Sequence, residues 1–179
     1  MQYLIPKYKD EVIIIFNHIK VEKLKSQYIQ DEHYNIVIDG IAFDVRLNEF
    51  YPNNHYLGLI PVMIDWLSSE EERKLAQSRY RSTMNPEILP ILMCPDDCDL
   101  YCTVIVAEVM IKDEEIIWNR IGLDTSQLSN NIEDLGEEVQ WLGLVPTMRF
   151  KKEEYYYALN LIYNLEDEQE PTLNKTKGQ

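Results

Sequence analysis

The apolar positions of the chain are arranged mainly in short segments that predict β-strands. Residues 12–16 are consecutive apolar, mostly β-branched residues, which is typical of a short strand buried on both faces. Two further segments, 34–38 and 41–47, flank Asp39-Gly40, a pair that readily adopts the positive φ angles of a tight turn. Apolar and polar residues alternate along 41–47. The pattern therefore predicts a β-hairpin over 34–47.

The longest sheet signal lies in the centre of the chain. Residues 102–111 are largely apolar on both alternating faces, which indicates a central strand. A polar turn at 112–115 follows, and residues 116–123 return as a second strand that carries Trp118 and Arg120. A short apolar patch at 139–142 follows a polar loop.

Two segments have helical rather than strand periodicity. Residues 70–80 follow Ser68 and Ser69, either of which can be the N-cap, and begin with three glutamates, which the helix dipole favours at that end. Residues 151–163 place aromatic and aliphatic side chains at helical spacing. From position 166 onward the apolar content is too low for packing, so a disordered acidic and polar tail is expected at 166–179.

These elements predict an α+β fold in which a mostly antiparallel sheet with two or more hairpins packs against about two helices. With 179 residues, 45% of them hydrophobic, the chain is long enough to bury one core. We expect a single domain over residues 1–165.

The charge distribution limits the classes of partner. The chain has a net charge of −14, and the segment 96–138 contains twelve acidic residues and only two basic ones, although it also has the sheet-forming pattern. This combination predicts a folded acidic face. Such a surface repels phosphate backbones, which excludes direct nucleic-acid binding, and attracts a basic protein partner.

The expected location is the cytoplasm, without a membrane contact. The first residues lack the pattern of a secretory signal, and the apolar run at 12–16 is far too short to span a bilayer. Three cysteines, an odd number, fit a reducing compartment. Neither a phosphate-binding glycine loop nor a GxSxG nucleophile motif occurs, so no catalytic residue and no cofactor are predicted.

Cys94, Cys98 and Cys102 form the most metal-like spacing in the chain, with Asp96, Asp97 and Asp99 between them. Structural zinc usually has four ligands in closely spaced pairs, and no histidine lies nearby in sequence. Small thiols that pack beside a turn are the simpler interpretation, so no metal ligand is predicted. A carboxylate site that combines the three aspartates with Glu108 lacks the spacing of a calcium loop.

Exposed aromatic residues among carboxylates are typical contacts for a basic partner. Tyr51, Tyr56, Tyr101 and Trp118 are the aromatic candidates. The predicted partner-binding residues are Asp96, Asp97, Asp99, Tyr101, Asp113, Glu114, Glu115 and Trp118.

Four sequence phrases resemble bacterial immunity proteins that protect against polymorphic or contact-dependent growth-inhibition toxins. They are PILMCPDDCDLYCTVIVAEV, IIWNRIGLD, PVMIDWL and VQWL, and the resemblance extends over roughly residues 57–165. It implies an inhibitor that binds the C-terminal toxin domain of a partner protein, often a nuclease. Proteins of this kind have no catalytic residues, and their binding surfaces differ between pairs.

Two other functions remain open from the sequence. One is a small metal-dependent enzyme that uses Cys94, Cys98 and Cys102 together with Asp96 and Asp97. The other is an acidic scaffold or regulatory module that acts without a toxin. The sequence leaves the oligomeric state open.

Overall fold

The computed structural model describes residues 15–126 and 131–163, in which the chain forms nine strands, three α-helices and a short 3-10 helix. The strands are β1 (Ile19–Leu24), β2 (His33–Ile38), β3 (Ile41–Ala42), β4 (Ile60–Pro61), β5 (Glu87–Met93), β6 (Val104–Lys112), β7 (Glu115–Asp124), β8 (Val139–Trp141) and β9 (Met148–Lys151). The helices are α1 (Phe43–Phe50), α2 (Glu70–Tyr80) and α3 (Lys152–Tyr163), and the 3-10 helix covers Ile132–Asp134.

The strands of the described residues form two antiparallel sheets. Strands β1, β2 and β3 form one sheet, and the other has the order β4-β5-β6-β7-β8, with β9 also paired to β7. One edge of β7 is shared, because β8 pairs with the C-terminal part of β7 and β9 with the N-terminal part. This architecture confirms the predicted α+β class with antiparallel sheets.

Strand β6 is the centre of the larger sheet, as its two apolar faces predict. It lies between β5 and β7 and is buried from Val104 to Val109. The turn that joins β6 to β7 consists of Asp113 and Glu114, and Asp113 has a positive φ of 48°. The hairpin predicted at this position is therefore confirmed.

The hairpin predicted over 34–47 is only partly correct. The turn forms at Asp39-Gly40, where both residues have positive φ angles of 51° and 82°. However, β3 ends at Ala42, and the prediction of a strand up to residue 47 is wrong because α1 begins at Phe43. Apolar residues at positions 43 and 47 fit both a strand period and a helical i, i+4 pair, and the helix buries both while position 45 faces solvent.

Helix α1, which replaces this strand, is held against a neighbouring loop by the buried carboxylate of Asp44. Asp44 is 6% exposed, and its Oδ2 atom accepts a hydrogen bond from the backbone N–H of Gly58 at 2.9 Å. Burial raises the pKa of Asp44 above its ordinary value. Gly58 has a φ of 93°, and a Cβ atom there would lie 2.4 Å from the Tyr28 ring. Both the backbone angle and the close contact therefore require glycine at this position.

The two predicted helices are present, and a third was not predicted. Helix α2 spans residues 70–80 as predicted, with Ser69 as its N-cap, and α3 begins one residue later than predicted. Of the strand predicted over 12–16, positions 12–14 lie outside the described residues, while Ile15 and Phe16 are not in a strand. The predicted tail at 166–179 also lies outside the described residues.

An aromatic cluster joins α1 and α3 to the larger sheet. Trp118 of β7 is fully buried and makes edge contacts with Phe43, Phe150 and Tyr155, with ring centroids 5.2 to 6.2 Å apart. Its indole Nε1–H donates a hydrogen bond to the Tyr155 hydroxyl at 3.2 Å. The cluster therefore satisfies the polar atom of its largest side chain internally.

We expect Tyr155→Phe to lower the free energy of unfolding by about 1–3 kcal/mol, because it leaves the buried indole N–H of Trp118 without its acceptor. Urea denaturation measures the change. Tyr157→Phe on the same helix is the matched control, since Tyr157 is 82% exposed, and its effect should stay within about 0.5 kcal/mol. Equal stabilities for the two variants would show that the buried hydrogen bond contributes nothing.

Candidate functional site

The segment that joins β5 to β6, residues 94–103, is called the acidic loop here. A hydrogen bond from the Cys94 N–H to the Thr103 carbonyl oxygen, 3.0 Å long, closes its base. Asp96 and Asp97 are exposed, and the loop contains no basic residue. Within the loop, the Cys98 thiol contacts the Pro95 carbonyl oxygen at 3.3 Å. The two aspartates therefore project from a loop with internal hydrogen bonds.

Asp99 has a structural role in the acidic loop. Its Oδ1 atom accepts hydrogen bonds from the backbone N–H groups of Tyr101 and Cys102, at 2.9 and 3.1 Å. An aspartate that bonds the backbone two residues further on is a common device for shaping a turn. Tyr101 is 48% exposed, and Asp96 and Asp97, called the tip aspartates, are exposed in the same loop. Asp99 thus shapes the loop, while Asp96, Asp97 and Tyr101 are exposed.

Glu72 attaches the acidic loop to the start of helix α2. Its side chain is almost fully buried, and its Oε1 atom accepts a hydrogen bond from the Leu100 N–H at 2.6 Å. Its Oε2 atom accepts from the Ser69 N–H, and the Ser69 hydroxyl accepts from the Glu72 N–H, which completes a capping box. One carboxylate therefore satisfies the backbone of the helix start and of the loop.

This attachment brings the acids of two separate sequence segments to one end of the molecule. Glu70 and Glu71, in the first turn of α2, are exposed beside the residue that holds the loop. Glu70 forms an ion pair with Lys74 at 2.5 Å, and this hydrogen bond lowers the pKa of Glu70. We call Glu70, Glu71, Asp96, Asp97 and Tyr101 the acidic end. The sequence analysis missed the two glutamates as binding groups, because only the tertiary hydrogen bond of Glu72 connects them to the loop.

The predicted acidic face is not one surface. Asp113 and Glu114 are exposed, but they follow the C-terminal end of β6, whereas the acidic loop precedes its N-terminal end. Nine residues of extended strand separate the two groups by about 30 Å. The sheet therefore places these carboxylates at opposite ends of one strand, and they do not form one continuous acidic face.

Two other predicted partner-binding residues are not accessible. Glu115 is 7% exposed, and both of its carboxylate oxygens accept hydrogen bonds from Nη1 of Arg149 at 2.9 Å. Trp118 is the centre of the aromatic cluster and has no exposed surface. Among the other aromatic candidates, Tyr56 is buried, while the half-buried Tyr51 accepts a hydrogen bond from the Leu144 N–H. The interpretation of Glu115 and Trp118 as contact residues is therefore corrected.

Glu108 belongs to a separate contact on the larger sheet. Its carboxylate pairs with the guanidinium of Arg120 and accepts a hydrogen bond from Asn119. The hydrogen bond from Arg120 is the main cause that lowers the pKa of Glu108. The Arg120 guanidinium also lies 4.0 Å above the ring of Trp141. Glu108 thus pairs with an arginine that packs on an aromatic ring, and it does not form a site with Asp96, Asp97 and Asp99.

The three cysteines are free thiols. In the described parts of the chain, no group of three or more histidine, cysteine, aspartate or glutamate side chains is placed to hold a metal ion. Cys102 is exposed, whereas Cys94 and Cys98 are half-buried. Burial is the main cause that raises the thiol pKa of both Cys94 and Cys98.

Comparison of the chain with protein-family models, with curated proteins and with solved structures gives no match. Among residues 15–126 and 131–163, none of the helices is long and apolar enough to cross a membrane.

We expect Glu72→Ala to destabilise the protein by about 1–3 kcal/mol, because the buried Leu100 N–H loses its acceptor and the helix loses half of its capping box. Thermal or urea unfolding measures the loss. Glu71→Ala, at the exposed neighbouring position, is the control and should change the stability by less than about 0.5 kcal/mol. A loss in the control as large as in Glu72→Ala would rule out the specific role of Glu72.

The cysteine environments predict an order of alkylation by iodoacetamide in the native protein. Only the thiolate reacts, so a raised pKa lowers the reactive fraction of Cys94 and Cys98 at neutral pH, and their rates should rise as the pH increases toward those pKa values. Exposed Cys102 should therefore be modified first. Peptide mapping by mass spectrometry after short labelling times gives the order, and faster modification of Cys98 than of Cys102 would contradict it.

Proposed function

We propose that this protein is a binding protein whose acidic end contacts a basic surface of a protein partner. The observation that carries the proposal is the attachment of the acidic loop to helix α2 through Glu72. It places exposed carboxylates from two segments at one end of the molecule, beside an exposed tyrosine. Opposite charge at such a surface accelerates association and excludes like-charged partners.

Tyr101 supplies the apolar part of the proposed contact. Tyr101 is 48% exposed and belongs to the same loop as the exposed Asp96 and Asp97. Tyrosine is enriched among residues that dominate binding energy, because a rigid ring buries a large area and its hydroxyl still forms hydrogen bonds. The tip aspartates are then expected to govern the association rate, while Tyr101 governs the lifetime of the complex.

The partner that we propose is the C-terminal domain of a bacterial toxin, in line with the resemblance to immunity proteins. A toxin that acts on nucleic acid needs a basic surface to bind its substrate, and an acidic end is complementary to that surface. The protein would then act in the cytoplasm as an inhibitor without catalysis of its own. Among the described residues, the cysteines and aspartates of the metal-dependent alternative are not placed together as a group that could hold a metal ion.

The test is co-expression of this chain with the protein encoded immediately upstream, followed by co-purification and a growth assay. The expected result is rescue of growth and a complex whose association rate falls steeply as salt is added. If co-expression gives no growth rescue and no complex forms, that protein is ruled out as the partner.

Charge reversal then locates the contact. We expect Asp96→Lys combined with Asp97→Lys to lower the association rate by about tenfold or more, because it removes the attraction at the acidic end. Stopped-flow mixing or surface plasmon resonance measures the rate.

The matched control is Asp113→Lys combined with Glu114→Lys, which changes the net charge by the same amount on an exposed turn at the other end of β6. Its association rate should stay within about threefold of the wild-type rate. Equal losses in both double variants would mean that the net charge acts rather than the acidic end, and no loss in either would exclude the proposed contact.

A further inference from the structure

The thiols of Cys94 and Cys102 lie in contact at the base of the acidic loop. The Cys94 N–H donates to the Thr103 carbonyl oxygen at 3.0 Å, which continues the pairing of β5 with β6 beyond Met93 and Val104. Cys94 is therefore opposite the residue that follows Cys102, and the two thiols are within hydrogen-bonding contact of each other. Both cysteines are free, and thiols this close can form a disulfide without movement of the backbone.

Hydrogen bonds hold the backbone around this thiol pair. The Asp99 carboxylate accepts from the Cys102 N–H at 3.1 Å, while the backbone hydrogen bond at the base of the loop holds Cys94. Between them, Glu72 accepts from the Leu100 N–H and joins the loop to helix α2. The folded chain therefore keeps the two sulfur atoms together, and this proximity accelerates a reaction between them relative to thiols on separate molecules.

The two cysteines differ in exposure, which gives them different roles in such a reaction. Cys102 is exposed and can meet a reagent from the solvent, whereas Cys94 is half-buried. Burial is the main cause that raises the pKa of the Cys94 thiol, so a smaller fraction of it is thiolate at neutral pH. Cys102 is therefore the thiol that reacts first, and Cys94 is placed to attack the product.

We propose that Cys94 and Cys102 form a reversible disulfide when the protein meets hydrogen peroxide, and that this bond locks the base of the acidic loop. The tip aspartates and Tyr101 lie within the ring that the bond closes. Peroxide is small and uncharged, so the carboxylates of the loop do not repel it. This modification goes beyond the proposed function and requires no partner protein.

The reaction has two steps. The Cys102 thiolate attacks one peroxide oxygen, the O–O bond breaks, and Cys102 becomes a sulfenic acid while the released hydroxide takes a proton to form water. The Cys94 thiolate then attacks the Cys102 sulfur, the S–O bond breaks, and the hydroxide that leaves takes the second proton. Two thiols and one peroxide thus give one disulfide and two water molecules, and two electrons pass from sulfur to oxygen. Dithiothreitol reverses the bond by thiol–disulfide exchange.

The test is disulfide mapping of the full-length protein after treatment with millimolar hydrogen peroxide. The remaining thiols are blocked with N-ethylmaleimide in denaturant. An endoproteinase that cleaves before aspartate then separates the three cysteines, because Asp97 and Asp99 stand between them. The expected result is a monomer with a link between Cys94 and Cys102 that dithiothreitol removes. A link that involves Cys98, a link between two copies of the chain, or no link would overturn the proposal.

Two serine variants separate the thiol pair from the third cysteine. Cys102→Ser should lower the rate at which peroxide oxidises Cys94 by about tenfold or more, because the first step is lost. Cys98→Ser is the matched control in the same loop, and its link should form at a rate within about twofold of the wild-type rate. Unchanged oxidation of Cys94 in the first variant, or loss of the link in the second, would overturn the proposal. The wild-type map remains decisive if a variant fails to fold.

Amide hydrogen exchange tests whether the disulfide locks the loop. A bond across the base removes conformational freedom from the open loop, so the Leu100 and Tyr101 amides should exchange about threefold or more slowly in the oxidised protein. Oxidised Cys98→Ser should show the same slowing, and peroxide-treated Cys102→Ser should not. Equal exchange in the oxidised and reduced wild type would overturn the lock. Because this measurement involves no partner, its failure is distinguishable from failure of the proposed function.

Discussion

The burial of strand β6 between β5 and β7 determines where every candidate functional group lies. Because both faces of β6 are apolar, the strand must occupy the middle of the larger sheet, and its two connections must emerge at opposite ends. The acidic loop is one connection, and the Asp113-Glu114 turn is the other. Helix α2 runs between the same two ends, with the glutamates of its first turn beside the loop. The separation of the two acidic groups is therefore a consequence of how one strand is buried.

Much of the fold could be predicted from the sequence wherever the apolar positions fit either the strand period or the helix period, but not both. The central strand, its hairpin and both long helices follow from patterns in which apolar positions and caps agree, as the capping box of α2 illustrates. The prediction failed at 43–47, where the same residues satisfy a strand and a helix and the buried hydrogen bond of Asp44 favours the helix. Strand β5 was missed because Pro90 interrupts a segment that pairs through an irregular register.

The candidate site was less predictable, because its parts are joined by tertiary contacts. The tip aspartates and Tyr101 were identified from a local signal, the dense acidic turn. Proximity in sequence wrongly grouped them with the acids of the next turn, since a strand of nine residues separates the two. No sequence pattern indicates that a helix-capping glutamate also binds the backbone of a loop 28 positions away.

The shared hydrogen bonds of Glu72 have a consequence for local unfolding. Because one carboxylate satisfies both the helix start and the acidic loop, the loop cannot detach without leaving a buried acceptor unsatisfied and weakening the first turn of α2. Fraying of the helix and opening of the loop are therefore a single cooperative event, with one opening free energy measurable by amide hydrogen exchange. A partner that contacts only the loop would also slow amide exchange in the first turn of the helix, because Glu72 joins the two.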